Sequence, residues 1–476
     1  DPDTNYYVIF HATAGLVAIA LKGVEPDAEM LAAHCWLRLQ DSMNAFTEMN
    51  GWVEGLTYLD FCWGQSALYF FLALERNSDQ KPFDGLWFNA SIKWSVWGAL
   101  PNRKTIADFG DNEPENYSVG SYLSRLGDLT GDPWFTNEAE KTSTVVELAK
   151  DLDIFSIAAM GREKSGMTFA EYGAFDKTCE YFPGIEWGFI RCGPGGKGWE
   201  DEDDFYLALK SGVAGYDHNH LDQGSFIMGA YSEVLISDPG RGGPDIIRQD
   251  PLINCLFEAG LGHNTLIVGD GCYEDLKLFP DNPKYFAKPG KITSFKETED
   301  YVLFTTDNSG LYPTEPLRIF KRSFIYYKPG VIENAPLGIL LICDNIEFGE
   351  PVKYFLLFHT PGQAEITGEK KAKLTNGSAF LDYYGDCSAA TEDKVERQKT
   401  TWDIRDSDCL YRTIKSESKV GEWVHVLTPE KEGSPGPSDI NIHTPSGVSD
   451  YITIYVGLAG KELKIIWDPV PGWIPK

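Results

Sequence analysis

The chain has 476 residues and a formal net charge of −29, with 42% hydrophobic and 24% charged residues. That is an ordinary globular composition with room for more than one domain. The acidic excess argues against nucleic acid and anionic membranes as partners, and no run of about eighteen apolar residues marks a transmembrane helix. Aromatic residues make up 13% of the chain, a level shared by carbohydrate-active proteins and by large β domains. The nine cysteines are scattered without a CxxC. Their spacing gives neither a disulfide framework nor a zinc ribbon, and most sit in apolar runs as expected of buried thiols.

In chain order, residues 1 to about 165 read as helical. Apolar residues recur at spacings of three and four in AGLVAIAL (14–21) and DAEMLAAHCWLRLQDSMNAF (27–46),. The pattern continues through GQSALYFFLALERN (64–77), SIKWSVWGAL (91–100), NYSVGSYLSRLGDL (116–129) and EAEKTSTVVELAKDL (138–152). Turn-rich spots such as VEPD, MNGW and TGDPW separate these segments,, which suggests stacked helical hairpins. From about 176 the texture is antiparallel β, with short aromatic and β-branched runs such as EWGFIRCG, GSFIMGAY, RIFKRSFIYY, GILLICDN and EWVHVLTP,. Helices first and strands after predict an α+β multidomain chain. The expected division is a helical portion over 1–165, a central antiparallel β domain over 166–385 and a C-terminal β domain over 386–476.

Chemistry concentrates in Asp217–Asp238, DHNHLDQGSFIMGAYSEVLISD, and in the later GHNTLIV. His218 and His220 are separated by one residue, so in an extended strand they can face the same way. His220, Asp238 and His263 form a donor set suited to zinc, with His218 left to face a substrate. As a bare pattern, HxH is as compatible with histidines that satisfy buried backbone groups. GAYSEVLISDPGRGG reads as a hairpin that delivers Asp238 at a strand end. Trp52, Glu54, Tyr58 and Asp60 crowd the start of a helix, where carboxylates commonly cap and a tyrosine is commonly core. Asn5 and His11 precede a small-residue helix, a common place for a structural histidine. GPGGKG (193–198) lacks the spacing of a P-loop and reads as a hairpin loop.

Together these pieces resemble the heparinase II/III-like polysaccharide lyases. GYDHNHLDQGSFIMGAYSEVLISDPGRGG is similar to the family's HxHxDxGSF signature followed by a strand ending in DPG, and GHNTLIVGDG is similar to its later HNTL element. NYYVIFHATAG resembles the segment carrying an Asn and a His near the cleft, and WVEGLTY resembles the one supplying the catalytic Tyr. The resemblance implies an incomplete (α/α) toroid followed by large antiparallel β-sheets. It implies that Tyr58, His11, His218 and Asn5 are catalytic. It also implies that His220, Asp238 and His263 hold one divalent metal, most commonly Zn2+, in a structural role. Arg241, Arg248 and Glu54 are expected to bind substrate; Arg103, Lys104, Arg241 and Arg248 lie in loops that could face the cleft, although any one of them taken singly reads more simply as a solvated loop charge. The chain shows fewer helical segments than the family's toroid, so further helices are expected before Asp1, which looks like a processed or cut end. Tyr6-Tyr7 stands where relatives often carry Trp-Asn, which loosens the alignment of Asn5 more than that of His11.

The implied reaction is β-elimination on an acidic, uronic-acid polysaccharide of the alginate or glycosaminoglycan type, by a secreted or periplasmic protein. Screening over roughly 10 Å lets a basic cleft coexist with a strongly acidic surface. The alternatives are a uronate C5-epimerase, a non-catalytic glycan-binding protein, and a zinc hydrolase with an open water position.

Overall fold

A computed structural model describes residues 1–112, 119–141, 154–160, 164, 166, 168, 177–199, 202–213, 218–240, 260–269, 288–312, 317–398, 406–433, 440–443, 453–458, 461–468 and 472–475. The chain divides into two compact units. The first comprises Asp1–Phe175, Phe182–Ile185 and Asp217–Asn219; the second comprises Asp176–Tyr181, Glu186–Tyr216 and His220–Lys476. No helix among the described residues is long and apolar enough to cross a membrane.

The first unit is helical. Helix α1 (Asn5–Ala20) buries Asn5, Val8, Ala12, Gly15 and Ala18, spaced by three or four as one helix face requires,. It starts well before the expected apolar run at 14, because Tyr6 and Phe10 extend the helix although both are exposed. Helix α2 (Ala28–Met49) packs against it, buries Cys35, Leu39 and Phe46, and stops at Asn50, whose left-handed φ of 54° forms the cap,. A short α3 (Leu56–Tyr58) runs into a π-helical stretch, Leu59–Ala67, and then into α4 (Leu68–Asn77). Helix α5 (Leu86–Gly98) is buried nearly all round, with Trp87, Phe88, Ile92, Trp94 and Trp97 inside. Helices α6 (Val119–Thr130) and α7 (Pro133–Lys141) follow; most of the run expected as helix over 138–152 lies outside the described residues. The core of this unit is aromatic. Trp63 stacks on Trp87 at 4.9 Å and meets Phe46 and Trp52 edge-on at 5.7 and 5.6 Å, geometries worth about 0.5–1.5 kcal/mol each beyond area burial.

The strands described in the second unit pair antiparallel, and they include all the runs quoted above. β1 (Cys179–Phe182), β2 (Trp187–Cys192), β3 (Phe205–Lys210), β4 (Phe226–Ala230) and β5 (Glu233–Ile236) pair in chain order as one sheet. GPGGKG turns between β2 and β3, as expected. Tyr231 and Ser232 join β4 to β5 with φ of 54° and 65°, the two positive values a tight hairpin of matching twist requires.

An eight-stranded sheet has the order β12–β13–β14–β17–β10–β9–β8–β7. Its members are β7 (Lys291–Glu297), β8 (Tyr301–Asp307), β9 (Leu317–Tyr327), β10 (Ile339–Val352), β12 (Gln363–Gly368), β13 (Lys371–Asn376), β14 (Ala379–Cys387) and β17 (Ser418–Lys431). β6 (Leu266–Val268), β11 (Tyr354–Thr360), β15 (Thr391–Gln398) and β16 (Ser407–Ile414) make a four-stranded sheet, and β18–β21, from Asn441 to Pro475, make another. The centre of the large sheet is buried on both faces: Leu340 and Ile342 join one core cluster, Leu341 and Cys343 another. That is why β10 begins as an unbroken ILLIC rather than an alternation,. The boundary expected at 385/386 falls inside β14, which pairs with β17 on both sides of it, Asp382 opposite Thr428 and Asp386 opposite Val424. The described cysteines form no disulfide.

Candidate active site and metal group

The clearest chemical arrangement in the helical unit surrounds Tyr58. Gly55 starts the short helix with a φ of 92°, and a Cβ there would lie 2.2 Å from Asn112 Nδ2, so only glycine fits,. The Asn112 side-chain oxygen in turn accepts the Thr57 N–H at 2.7 Å. These contacts fix the turn that presents Tyr58. Its ring stacks on His218 with centroids 4.1 Å apart and planes at 15°, and its hydroxyl lies 3.1 Å from His218 Nδ1. Asp111 Oδ2 lies 2.7 Å from the same nitrogen, and the Asp111 N–H donates to the His218 carbonyl at 2.9 Å. Gly110, with φ of 75°, lets that loop approach: a Cβ would sit 2.5 Å from the His218 oxygen. Asp111 is 3% exposed, Tyr58 9% and the His218 side chain 18%. The pair is thus braced from inside and reachable from outside.

The π-helical stretch begins directly after Tyr58, a distortion that recurs at functional sites. It turns Asp60 inward to Arg125 at 2.9 Å and Gln65 at 2.9 Å, where Gly64 leaves the space the ion pair occupies. It turns Phe61 outward, 45% exposed and edge-on to Tyr58 at 6.1 Å.

The other expected residues distribute unevenly. Asn5 donates to Glu54 Oε1 at 2.9 Å and Trp52 to Glu54 Oε2 at 3.1 Å, and Asn5 and Glu54 are 2% and 1% exposed. Both Glu54 oxygens are therefore engaged within the protein, in a buried brace tying the start of α1 to the loop before α3. His11 Nδ1 lies 2.7 Å from the Tyr7 carbonyl and its ring packs on Tyr7 and His34; among the described residues it bonds to neither Tyr58 nor His218. Arg103 pairs with Glu138 at 2.8 Å, both side chains largely buried. Arg241 and Arg248 lie outside the described residues.

The strand unit holds the second arrangement. The expected strand around HNH does not form, since residues 218–225 run as turn and loop. The two histidines fall in different units, the boundary lying between Asn219 and His220. His220 lies instead with Asp238, just beyond β5, and His263, just before β6, each offering a ligand atom within 4.8 Å of the others. All three are buried, and His263 Nδ1 is 2.7 Å from Asp238 Oδ2. Burial alone would raise the Asp238 carboxyl, but the His263 and His220 imidazoles outweigh it and hold it below the usual carboxylate value,. Burial would lower His263, and the Asp238 carboxylate outweighs that and raises it,.

Asn264 fixes the ligand loops. Its amide donates to the Phe226 and Ser237 carbonyls at 2.9 and 2.7 Å, and its side-chain oxygen accepts the His359 N–H at 2.7 Å. Asp222 is a fully buried partner of Lys210 at 2.6 Å. His359, which carried no motif, lies close by; burial, then the His263 charge, push it down to about 3, so it is neutral at physiological pH. Two imidazoles and a carboxylate, buried and convergent, suit a divalent ion of zinc type.

Helices followed by large antiparallel sheets, in this order and connection, form the heparinase-like polysaccharide lyase fold. The chain is similar to the crystal structure of heparinase III with a TM-score of 0.65 at 15% identity, covering 96% of this chain and 66% of that one. It is similar to heparan sulfate lyase HepC from Pedobacter heparinus with a TM-score of 0.63 at 13% identity, covering 98% of this chain and 66% of that one. The chain thus spans just under two thirds of the length of these structures. No family model and no curated protein sequence matches it.

Proposed function

We propose that this protein is a polysaccharide lyase that cleaves a uronic-acid polymer, of alginate or glycosaminoglycan type, by β-elimination. One observation carries the reading: within a heparinase-like fold, the Tyr58 hydroxyl sits 3.1 Å from His218 Nδ1 at a reachable surface. In such an elimination the C5 proton beside the carboxylate is removed, the C4–C5 double bond forms, and the C4–O4 bond breaks. Tyr58, as phenolate, takes the C5 proton; as phenol it returns a proton to the departing O4. A free tyrosine ionises near pH 10, so His218 assists by placing a hydrogen-bond donor on the phenolic oxygen. Elimination consumes no water.

Charge that develops on the substrate carboxylate needs donors. His11, Arg241 and Arg248 are proposed for that part, and Phe61 offers a flat face to a sugar ring. Asn5 and Glu54 act as the brace beneath. In the strand unit His220, Asp238 and His263 would hold the divalent ion, Zn2+ by donor preference, which when bound supplies a structural cross-link between the ligand loops. The helical unit is read as part of an (α/α) toroid. Because polymers of this size are met outside the cytoplasm, the same reading makes the protein secreted or periplasmic.

The test is incubation with a panel of uronate polymers while following ultraviolet absorbance and product size. Unsaturated, shortened products are expected. C5 inversion without cleavage would replace the lyase with an epimerase, and binding without product would leave a glycan-binding protein.

A further inference from the structure

His218 Nδ1 has two oxygen neighbours and room for one proton. Asp111 Oδ2 is 2.7 Å away and the Tyr58 oxygen 3.1 Å away. A neutral imidazole carries one N–H and one bare nitrogen, and a carboxylate is acceptor-only. A bare Nδ1 facing a carboxylate at that distance would set lone pair against lone pair. The proton must lie between them. An imidazole N–H donating to an ionised carboxylate pairs donor with acceptor, so the proton belongs to the nitrogen.

We infer that Asp111 is a positioning residue that holds His218 in the Nδ1–H form, so that His218 serves Tyr58 only as a donor and exchanges protons only through Nε2. The Nδ1–H is shared, the shorter bond going to Asp111 and the longer to the phenolic oxygen. Tyr58 cannot pass its proton to Nδ1, because no lone pair is there to take it. The phenolate, once formed, gains a donor that is already in place.

The surroundings fit a built positioning device. Asp111 grips the same residue twice, through its carboxylate to the ring and through its N–H to the His218 carbonyl at 2.9 Å. Ring and backbone of His218 are thereby fixed together. Gly110 at φ of 75° is what brings the loop that close. The face-to-face ring stack at 4.1 Å leaves His218 little freedom to flip. His218, Asp111 and Tyr58 all belong to the helical unit, so the device is complete within one body.

The catalytic consequence rests on the lyase reading; the tautomer does not, and the experiment separates them. The full chain is labelled with 15N in its imidazoles, and the His218 signal is assigned by its loss in His218→Gln. At a pH where the ring is neutral, wild type is expected to show Nδ1 protonated and Nε2 bare. Asp111→Ala is expected to move the population towards Nε2–H and to lower kcat by about a hundredfold with KM unchanged. A wild-type ring protonated on Nε2 overturns the inference without any variant being needed. A tautomer unmoved in Asp111→Ala overturns it as well. The expected tautomers in a protein that eliminates no polymer would leave the inference standing and remove the lyase reading.

Discussion

His218 and His220 are two residues apart in sequence and end in arrangements of opposite character. His218 stands with Tyr58 and Asp111, partly exposed, its ring braced on one side and open on the other. His220 stands with Asp238 and His263, buried, in a group tied by Asn264 to the ends of β4 and β5 and to β11. A group that must meet a polymer has to be reachable; a group that ties loops together gains from being sealed. On the proposed reading the same residue type serves chemistry in one place and cohesion in the other, and burial separates the two.

Substitution should break the two arrangements in different ways. His263→Ala leaves the buried Asp238 carboxylate without its nearest hydrogen-bonding partner. It should destabilise the strand unit by about 3–5 kcal/mol, read as a lower denaturation midpoint, while kcat of the molecules that remain folded is unchanged. His218→Gln should do the reverse, with thermal unfolding near wild type and kcat down by about a hundredfold. If both variants lost stability alike, the contrast between the sites would fail.

Phe61→Ala removes an exposed ring beside Tyr58. It should raise KM by about fivefold, as loss of about 1 kcal/mol of stacking implies, with kcat retained. The smallest effect lies away from both sites. Burial, then the neighbouring Asp382, push the Glu430 carboxyl up to about 7. An acid raised on folding takes up a proton, so its penalty is absent below about pH 4.5 and grows as pH rises towards 7. Glu430→Gln should therefore raise the melting temperature slightly at pH 8 and leave it unchanged at pH 4.

What was legible in the sequence follows from burial. The strands quoted from sequence are rich in apolar and aromatic residues because their faces meet core, as in β3, β4 and β10. The polar strands were not legible. β12 (QAEITG) and β15 (TEDKVERQ) lie at sheet edges, and the half-buried face of β15 carries Thr391 and Asp393 beside Val395, so no apolar alternation marks it in the sequence,. The π-helical LDFCWGQSA carries no periodic mark, since its shape comes from the Asp60–Arg125 pairing and the space at Gly64. His220, Asp238 and His263 were legible as a donor set. Asp111 was not: it sits in a turn-rich GDNEP, 107 residues from His218, and only the folded loop brings them together. Glu54 shows the opposite error, a carboxylate in a suggestive segment whose partners are internal.

The most direct test of the central claim is Tyr58→Phe, assayed on a polymer that the wild type cleaves. The substitution removes one oxygen and keeps the ring that stacks on His218. Formation of unsaturated uronate is expected to fall by about a thousandfold or more, with circular dichroism and melting temperature as in wild type. Elimination at an undiminished rate in the folded variant would contradict the assignment of Tyr58 as the group that moves the proton.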